Sequence, residues 1–157
     1  MLWSIVEQAA QRFHEEVGPV ASGPGSAAER LRAMVHAHVG VLVSGLERAS
    51  VYLFEWTFLA PERRELSARS RAAYQGLFEH VIAEGQAAGE LGAADAKLAA
   101  MFVLSAMNGL PRWYRPDGPL PPAAVAEQFA DLFLHGLAPP ASGVRAAPAH
   151  EREGAPR

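Results

Sequence analysis

The sequence predicts an all-α protein, a bundle of six helices without a sheet. Three observations lead there. Alanine fills 31 of 157 positions, whereas isoleucine and threonine together fill three (Ile5, Ile82 and Thr57). A chain rich in Ala and Leu and poor in β-branched residues favours helix over strand. Apolar residues recur at spacings of three and four along most of the chain. Only Val51 to Leu59 alternates as a strand would, and no second stretch exists to pair with it, so its backbone groups would go unsatisfied.

Leu2, Ile5, Val6, Ala9, Phe13 and Val17 form one stripe, which predicts an amphipathic helix ending at Gly18-Pro19. Its abrupt start suggests that a part upstream is missing. Gly18 to Gly25 reads as a connector. Ser26 and Glu29 form a capping box that opens a second helix, running to about Leu46. Its apolar residues occupy two faces, Leu31, Val35, His38, Leu42 and Leu46 on one and Met34, Ala37 and Val41 on the other, as expected of a central helix.

The segment from Val51 to Leu59 is read as the third helix, with Val51, Phe54 and Phe58 inward and Arg48, Tyr52 and Glu55 on the polar face. Pro61 suits the first position of a fourth helix. That helix carries two apolar rows (Leu66, Ala73, Leu77, Val81 and Tyr74, Phe78, Ile82) and stops at Gly89 and Gly92. Asp95 caps a fifth, almost wholly apolar helix. After the rigid turn Gly118-Pro-Leu-Pro-Pro122 a sixth runs to Leu137. Residues 138–157 hold four prolines, many alanines and mixed charge, and are expected to be a disordered tail. Residues 1–137 are then one domain.

Composition narrows the function classes. Half the residues are hydrophobic and 20% are charged, enough apolar content for a core. Cysteine is absent, which excludes disulfides, thiolate metal sites and cysteine nucleophiles. The net charge is −3, with no basic cluster, so this chain alone is a poor nucleic-acid binder. The longest uncharged runs, Ala33 to Leu46 and Leu98 to Pro111, have 14 residues each, short of the roughly 20 that span a bilayer. No signal peptide is visible, and a cytoplasmic protein without a membrane partner is expected.

No catalytic, cofactor or metal constellation stands out. Gly23-Pro-Gly-Ser-Ala-Ala28 fits a dinucleotide fingerprint only in letters, because a helix precedes it where a strand is required. His36 and His38 lie on different helical faces, unlike a metal pair. His38 sits on an apolar stripe, either as a hydrogen-bonded core residue that could meet His80 or as a pocket residue. Ser44-Gly45 lacks the first glycine of a nucleophile elbow. The densest polar and aromatic group is Asn108 to Gly118. It is either a helix end whose arginines complement the dipole or a holder of an anionic or aromatic ligand part.

Arg112-Trp-Tyr-Arg-Pro-Asp-Gly118, followed by Pro121-Pro-Ala-Ala-Val-Ala-Glu-Gln-Phe-Ala-Asp-Leu-Phe-Leu-His-Gly-Leu137, resembles the C-terminal regulatory domain of TetR-family transcriptional regulators. The likeness covers Met1 to about Leu137 and is closest to the subgroup responsive to acyl-CoA or other lipid-derived metabolites. It implies a helical body that binds an effector and dimerises, behind an N-terminal helix-turn-helix head. Met1-Leu-Trp3 looks like the first turn of the family's fourth helix, so the head is expected to be absent from this chain. A stand-alone helical binding protein for a hydrophobic small molecule is the alternative.

On that footing the expected ligand residues are His38, Leu42, Phe54, Phe58, Tyr74, Phe78, Leu104, Met107 and Asn108, which are mostly large and apolar and come from four helices. Arg112, Trp113 and Arg115 stand by to meet a phosphate or carboxylate. The expected homodimer interface uses Phe102, Ser105, Ala106 and Gly109 from the fifth helix and Val125, Phe129, Leu132 and Phe133 from the sixth.

Overall fold

Ser26 opens the helix around which the rest is built. In the computed structural model, which describes residues 1–137, its hydroxyl accepts from the Glu29 amide (3.1 Å). The Glu29 carboxylate accepts from the Ser26 amide (2.8 Å). Such a cap is worth about 1 kcal/mol. The element order is α1 (Leu2–Ala21), α2 (Ala27–Val43), α3 (Leu46–Phe54), a 3-10 turn (Trp56–Phe58), α4 (Pro61–Ala87), α5 (Ala96–Asn108), α6 (Leu110–Trp113) and α7 (Pro122–Leu137). The six longer helices correspond to the six expected, and no strand forms among the described residues. The expected tail, 138–157, lies outside the described residues. No helix described is long and apolar enough to cross a membrane.

Helix α2 is the axle. It packs against α1, α4 and α7, and more lightly against α3, α5 and α6. Leu31, Met34, Val35, His38, Val39, Val41 and Leu42 are all buried. Two charged seams run beside this apolar contact. Arg30 donates to Glu84 of α4 (2.5 Å) and to the Ala21 carbonyl (2.9 Å). Arg32 pairs with Glu127 and with Asp131 of α7 (2.7 Å), and His36 reaches Glu127 (2.7 Å).

Several boundaries differ from the sequence expectation. α1 continues through Gly18-Pro19 to Ala21. A proline in the last turn removes a single interior hydrogen bond, and its ring lies on the exposed side while Val17 and Ala21 stay buried. α2 stops at Val43. The Ser44 hydroxyl there donates to the Val41 carbonyl (2.9 Å), and Gly45 starts α3.

Because α3 begins at Leu46 and gives way to the 3-10 turn after Phe54, helical spacing does not connect Val51 with Phe58. Ala49 and Tyr52 face the core. Phe58 is 79% exposed, and Val51 and Phe54 are half-buried. The inward and outward assignments of Tyr52 and Phe58 are therefore reversed. Along α4, Leu66 and Ala73 of the expected first row are exposed, and the core is met by Tyr74, Phe78, Val81, Ile82 and Gly85.

α4 ends in a Schellman motif. Gly89 takes φ +74°, Glu90 N–H donates to the Gly85 carbonyl (2.8 Å) and Gly89 N–H to the Gln86 carbonyl (3.1 Å). The Glu90 carboxylate then accepts from Ala28 N–H (3.0 Å), so the end of α4 helps cap α2. Asp95 caps α5 as expected (2.7 Å to Leu98 N–H). α5 stops at Asn108, and the one-turn α6 redirects the chain, a break that apolar periodicity does not reveal.

Two expected interface residues lie inside the monomer. Val125 and Phe133 are buried with Ala126 and Ala130, because this stripe of α7 faces the chain's own α2. The outer surface of α5 and α7 instead carries Phe102 (64% exposed), Leu132 (67%), Leu98 and Met101. Ser105 is exposed, and Ala106, Gly109 and Phe129 are half-buried.

A pair of glycines in α4 tests this packing. A Cβ on Gly85 would come within 2.8 Å of Leu91 Cγ and 2.9 Å of Ala27 Cβ, whereas one on Gly76 meets nothing within 4 Å. Gly85→Val is expected to destabilise by roughly 1–3 kcal/mol through overpacking. Gly76→Ala is expected to stabilise by roughly 0.5–1 kcal/mol through helix propensity. Urea denaturation of the two variants measures both signs.

Candidate functional site

The most polar part of the core lies where α1, α2, α4 and α5 meet. His38, in mid α2, is 2% exposed. Its Nε2 lies 3.0 Å from Asn108 Oδ1 at the end of α5, and its Nδ1 lies 2.8 Å from Tyr74 Oη on α4. An amide oxygen only accepts, so Nε2 carries the proton, and Tyr74 O–H donates to Nδ1. This order leaves the Asn108 amide N–H groups without a protein acceptor among the described residues. Phe13 lies against the imidazole at a centroid distance of 4.8 Å with its ring tilted by 36°, and Phe78 meets it edge-on at 6.1 Å.

Burial, partly opposed by the Asn108 hydrogen bond, pulls the His38 pKa from 6.5 down to about 4. The imidazole is thus neutral at pH 7. Burial also pushes the Tyr74 hydroxyl well above its ordinary value, so it remains a donor.

Beside this chain of hydrogen bonds is a cavity of about 180 Å³. Phe13, His38, Tyr52 and Tyr74 form its aromatic wall, Leu53, Met101 and Leu104 its aliphatic parts, and Arg71, Gln75, Ser105 and Asn108 its polar ones. The Arg71 guanidinium lies 4.2 Å from the Tyr52 ring centroid and 4.9 Å from that of Trp56, and it donates to the Tyr52 carbonyl. Burial lowers its pKa. Among the described residues no group of three or more acidic or histidine side chains could hold a metal.

Four of the twelve expected ligand residues, His38, Tyr74, Leu104 and Asn108, line this cavity. Leu42, Phe78 and Met107 are fully buried core residues that do not line it, and Phe58 is in solvent. Phe54, Arg112, Trp113 and Arg115 are also elsewhere, because α6 turns the chain away from the axis of α5 and toward α3. Arg112 lies over Phe54 (4.3 Å), and Trp113 packs edge-on with Tyr114 and Phe129 (6.3 Å each).

The suggested meeting of His38 with His80 does not occur. His80 is six residues beyond Tyr74, about 240° further round the helix, and it pairs with Glu84 (3.4 Å) on the surface. Sequence reasoning missed Phe13, Tyr52, Leu53, Arg71, Gln75, Met101 and Ser105. A signal existed for Arg71, which stands three residues before Tyr74 on the same helical face.

Comparison with known proteins fits this arrangement. The sequence model of the tetracyclin repressor-like C-terminal domain matches residues 24–137. The chain belongs to this family. A TetR/AcrR-family regulator from Thermobifida fusca superposes with a TM-score of 0.77 at 31% identity, covering 86% of this chain and 72% of that one. The TetR-family regulator PfmR from Thermus thermophilus gives 0.80 at 27% identity, covering 87% and 74%. The HTH-type transcriptional repressor KstR2 of Rhodococcus jostii is 29% identical over 126 residues, which are 77% of this chain and 60% of that relative. The match thus spans less than two thirds of the repressor's length. The described bundle is the ligand-binding type of domain of TetR-family transcriptional regulators.

The neutral His38 makes a pH prediction for this TetR-type domain. Its folded pKa lies below the unfolded value, so the unfolded chain takes up the proton first as pH falls. The stability that depends on the neutral form is complete above about 6.5 and is lost as pH falls through about 4. The whole effect is about 3 kcal/mol, of which about 2 kcal/mol falls between about pH 7 and 4.5. Urea unfolding of the unmodified chain and of His38→Gln at several pH values should show the difference. Parallel pH profiles would contradict a neutral buried imidazole.

Proposed function

We propose that this chain is the effector-binding and dimerising part of a TetR-family repressor, and that its effector is a hydrophobic acyl metabolite, an acyl-CoA or the corresponding fatty acid. The observation that carries the reading is the cavity beside His38. Aromatic and aliphatic walls converge there with a few fixed polar groups, the usual make-up of a small-molecule site. The repressor assignment draws on the Rhodococcus relative, which is a transcriptional repressor, and the acyl class on the family resemblance of residues 112–137.

In this reading the effector changes the balance between two dimer geometries, and so the affinity of the intact regulator for its operator. Operator contact belongs to a helix-turn-helix head, and residues 1–137 make none. The dimer buries the apolar strip of Leu98, Met101, Phe102 and Leu132, whose exposure in a monomer is unusual for contiguous large side chains.

Calorimetric titration with acyl-CoAs and fatty acids of increasing chain length tests the ligand. The unmodified chain should release or take up heat with at least one of them. Leu104→Trp, which fills the cavity from its wall, should weaken that binding at least tenfold while the unfolding midpoint changes little. Absence of heat with every compound would mean that the cavity is only a packing gap.

Light scattering tests assembly. The unmodified chain should be dimeric at micromolar concentration, and Phe102→Glu with Leu132→Arg should be a folded monomer. These two side chains are exposed in the monomer, so loss of the dimer is separable from unfolding.

A further inference from the structure

Arg71 stands out among the arginines of the core region because it lacks an anionic partner. Arg30 and Arg32 each meet a carboxylate across the bundle, and the exposed Arg69 meets Glu65 within its own helix. Arg71 forms no ion pair with a carboxylate of the described residues. Its guanidinium lies within cation–π distance of the rings of Tyr52 and Trp56, one N–H group donates to the Tyr52 carbonyl, and its buried Nε has no hydrogen-bond partner. Removing a cation from water without a counter-charge is costly. The two rings offset part of that through cation–π attraction. The rings and the Tyr52 carbonyl together restrain the guanidinium, so that less freedom is lost on receiving an anion.

Asn108, which lines the same cavity, has its carbonyl engaged by His38, and its amide N–H groups are left to donate. Cation and donor therefore line one small space. Its volume, about 180 Å³, is close to that of an engineered cavity of roughly 150 Å³ that accepts benzene. The sheltered part of the space suits one ring or a chain of about six carbons, and a longer chain would extend past the exposed Met101 into solvent.

The geometry points to a free carboxylate as the group the cavity recognises. The effector would be a small carboxylic acid of about six carbons or one aromatic ring, its carboxylate paired with Arg71 and its body lying against Phe13, Tyr52 and Leu104. This rests on the reading of the cavity as the effector site and narrows it from acyl metabolites in general to the short free acid over the thioester. A thioester offers Arg71 no charge at its carbonyl, whereas a carboxylate forms a charge-assisted, bidentate pair with a guanidinium.

The test compares ligands on the unmodified chain first. Calorimetry with hexanoate, hexanamide, decanoate, benzoate and hexanoyl-CoA should show hexanoate or benzoate binding at least tenfold more tightly than the neutral hexanamide. Decanoate should gain nothing over hexanoate, and hexanoyl-CoA should bind more weakly than hexanoate. In Arg71→Gln the acid and the amide should become equal, while Arg71→Lys should keep part of the preference. Thermal unfolding reports separately whether the variants fold. If hexanamide or hexanoyl-CoA binds the unmodified chain as tightly as hexanoate, the carboxylate assignment is overturned and the effector site stands. If none of the five binds, the effector reading for acyl compounds fails and the assignment with it.

Discussion

The bundle is organised by the requirement that His38 be neutral and doubly hydrogen-bonded inside an otherwise apolar axle. An unpartnered imidazole at this depth would be costly to bury, so Tyr74 and Asn108 must arrive from α4 and α5 at the correct height. That fixes three helices relative to one another more sharply than apolar packing alone, which tolerates sliding. Phe13 completes the enclosure from α1. The cavity lies beside this polar junction. Rings and hydrogen bonds have preferred directions and cannot fill space as freely as aliphatic chains, and a region built from them leaves gaps.

Charge is distributed to match. The exposed seams of α2 use arginine against carboxylate on α4 and α7, pairs that contribute little individually and chiefly fix register. The interior cation is only partly compensated, by aromatic faces and a backbone carbonyl at the end of α3, and its Nε keeps no partner. The carbonyl end of a helix attracts a cation, so this placement also draws on the α3 dipole.

The helices were legible because composition and periodicity agree, and the capping residues Ser26 and Asp95 could be read directly from their spacing. The lining of the candidate cavity was legible where a residue lay on a long, regular helix, as His38, Tyr74, Leu104 and Asn108 do. It was illegible wherever the chain changes direction. The turn after Phe54 puts Phe58 outside and Tyr52 inside, and α6 takes Arg112 and Arg115 away from the cavity. Helical phase can be extrapolated only within one helix, and a single break randomises which residues face inward. Arg71 was hidden for a different reason. An arginine in a charged helix reads as solvent-facing, and only its i, i+3 relation to Tyr74 marks the inward face.

The charged seam between α2 and α7 has a mechanical consequence. His36, which reaches Glu127, and His38, which forms the cavity wall, are two residues apart, about 3 Å along one stiff rod. A rotation or axial slip of α2, if the proposed effector required one, would be passed directly to the grip that holds α7. The helix that walls the cavity and the helix that carries the exposed Leu132 therefore share a single lever with almost no arm between load and effort.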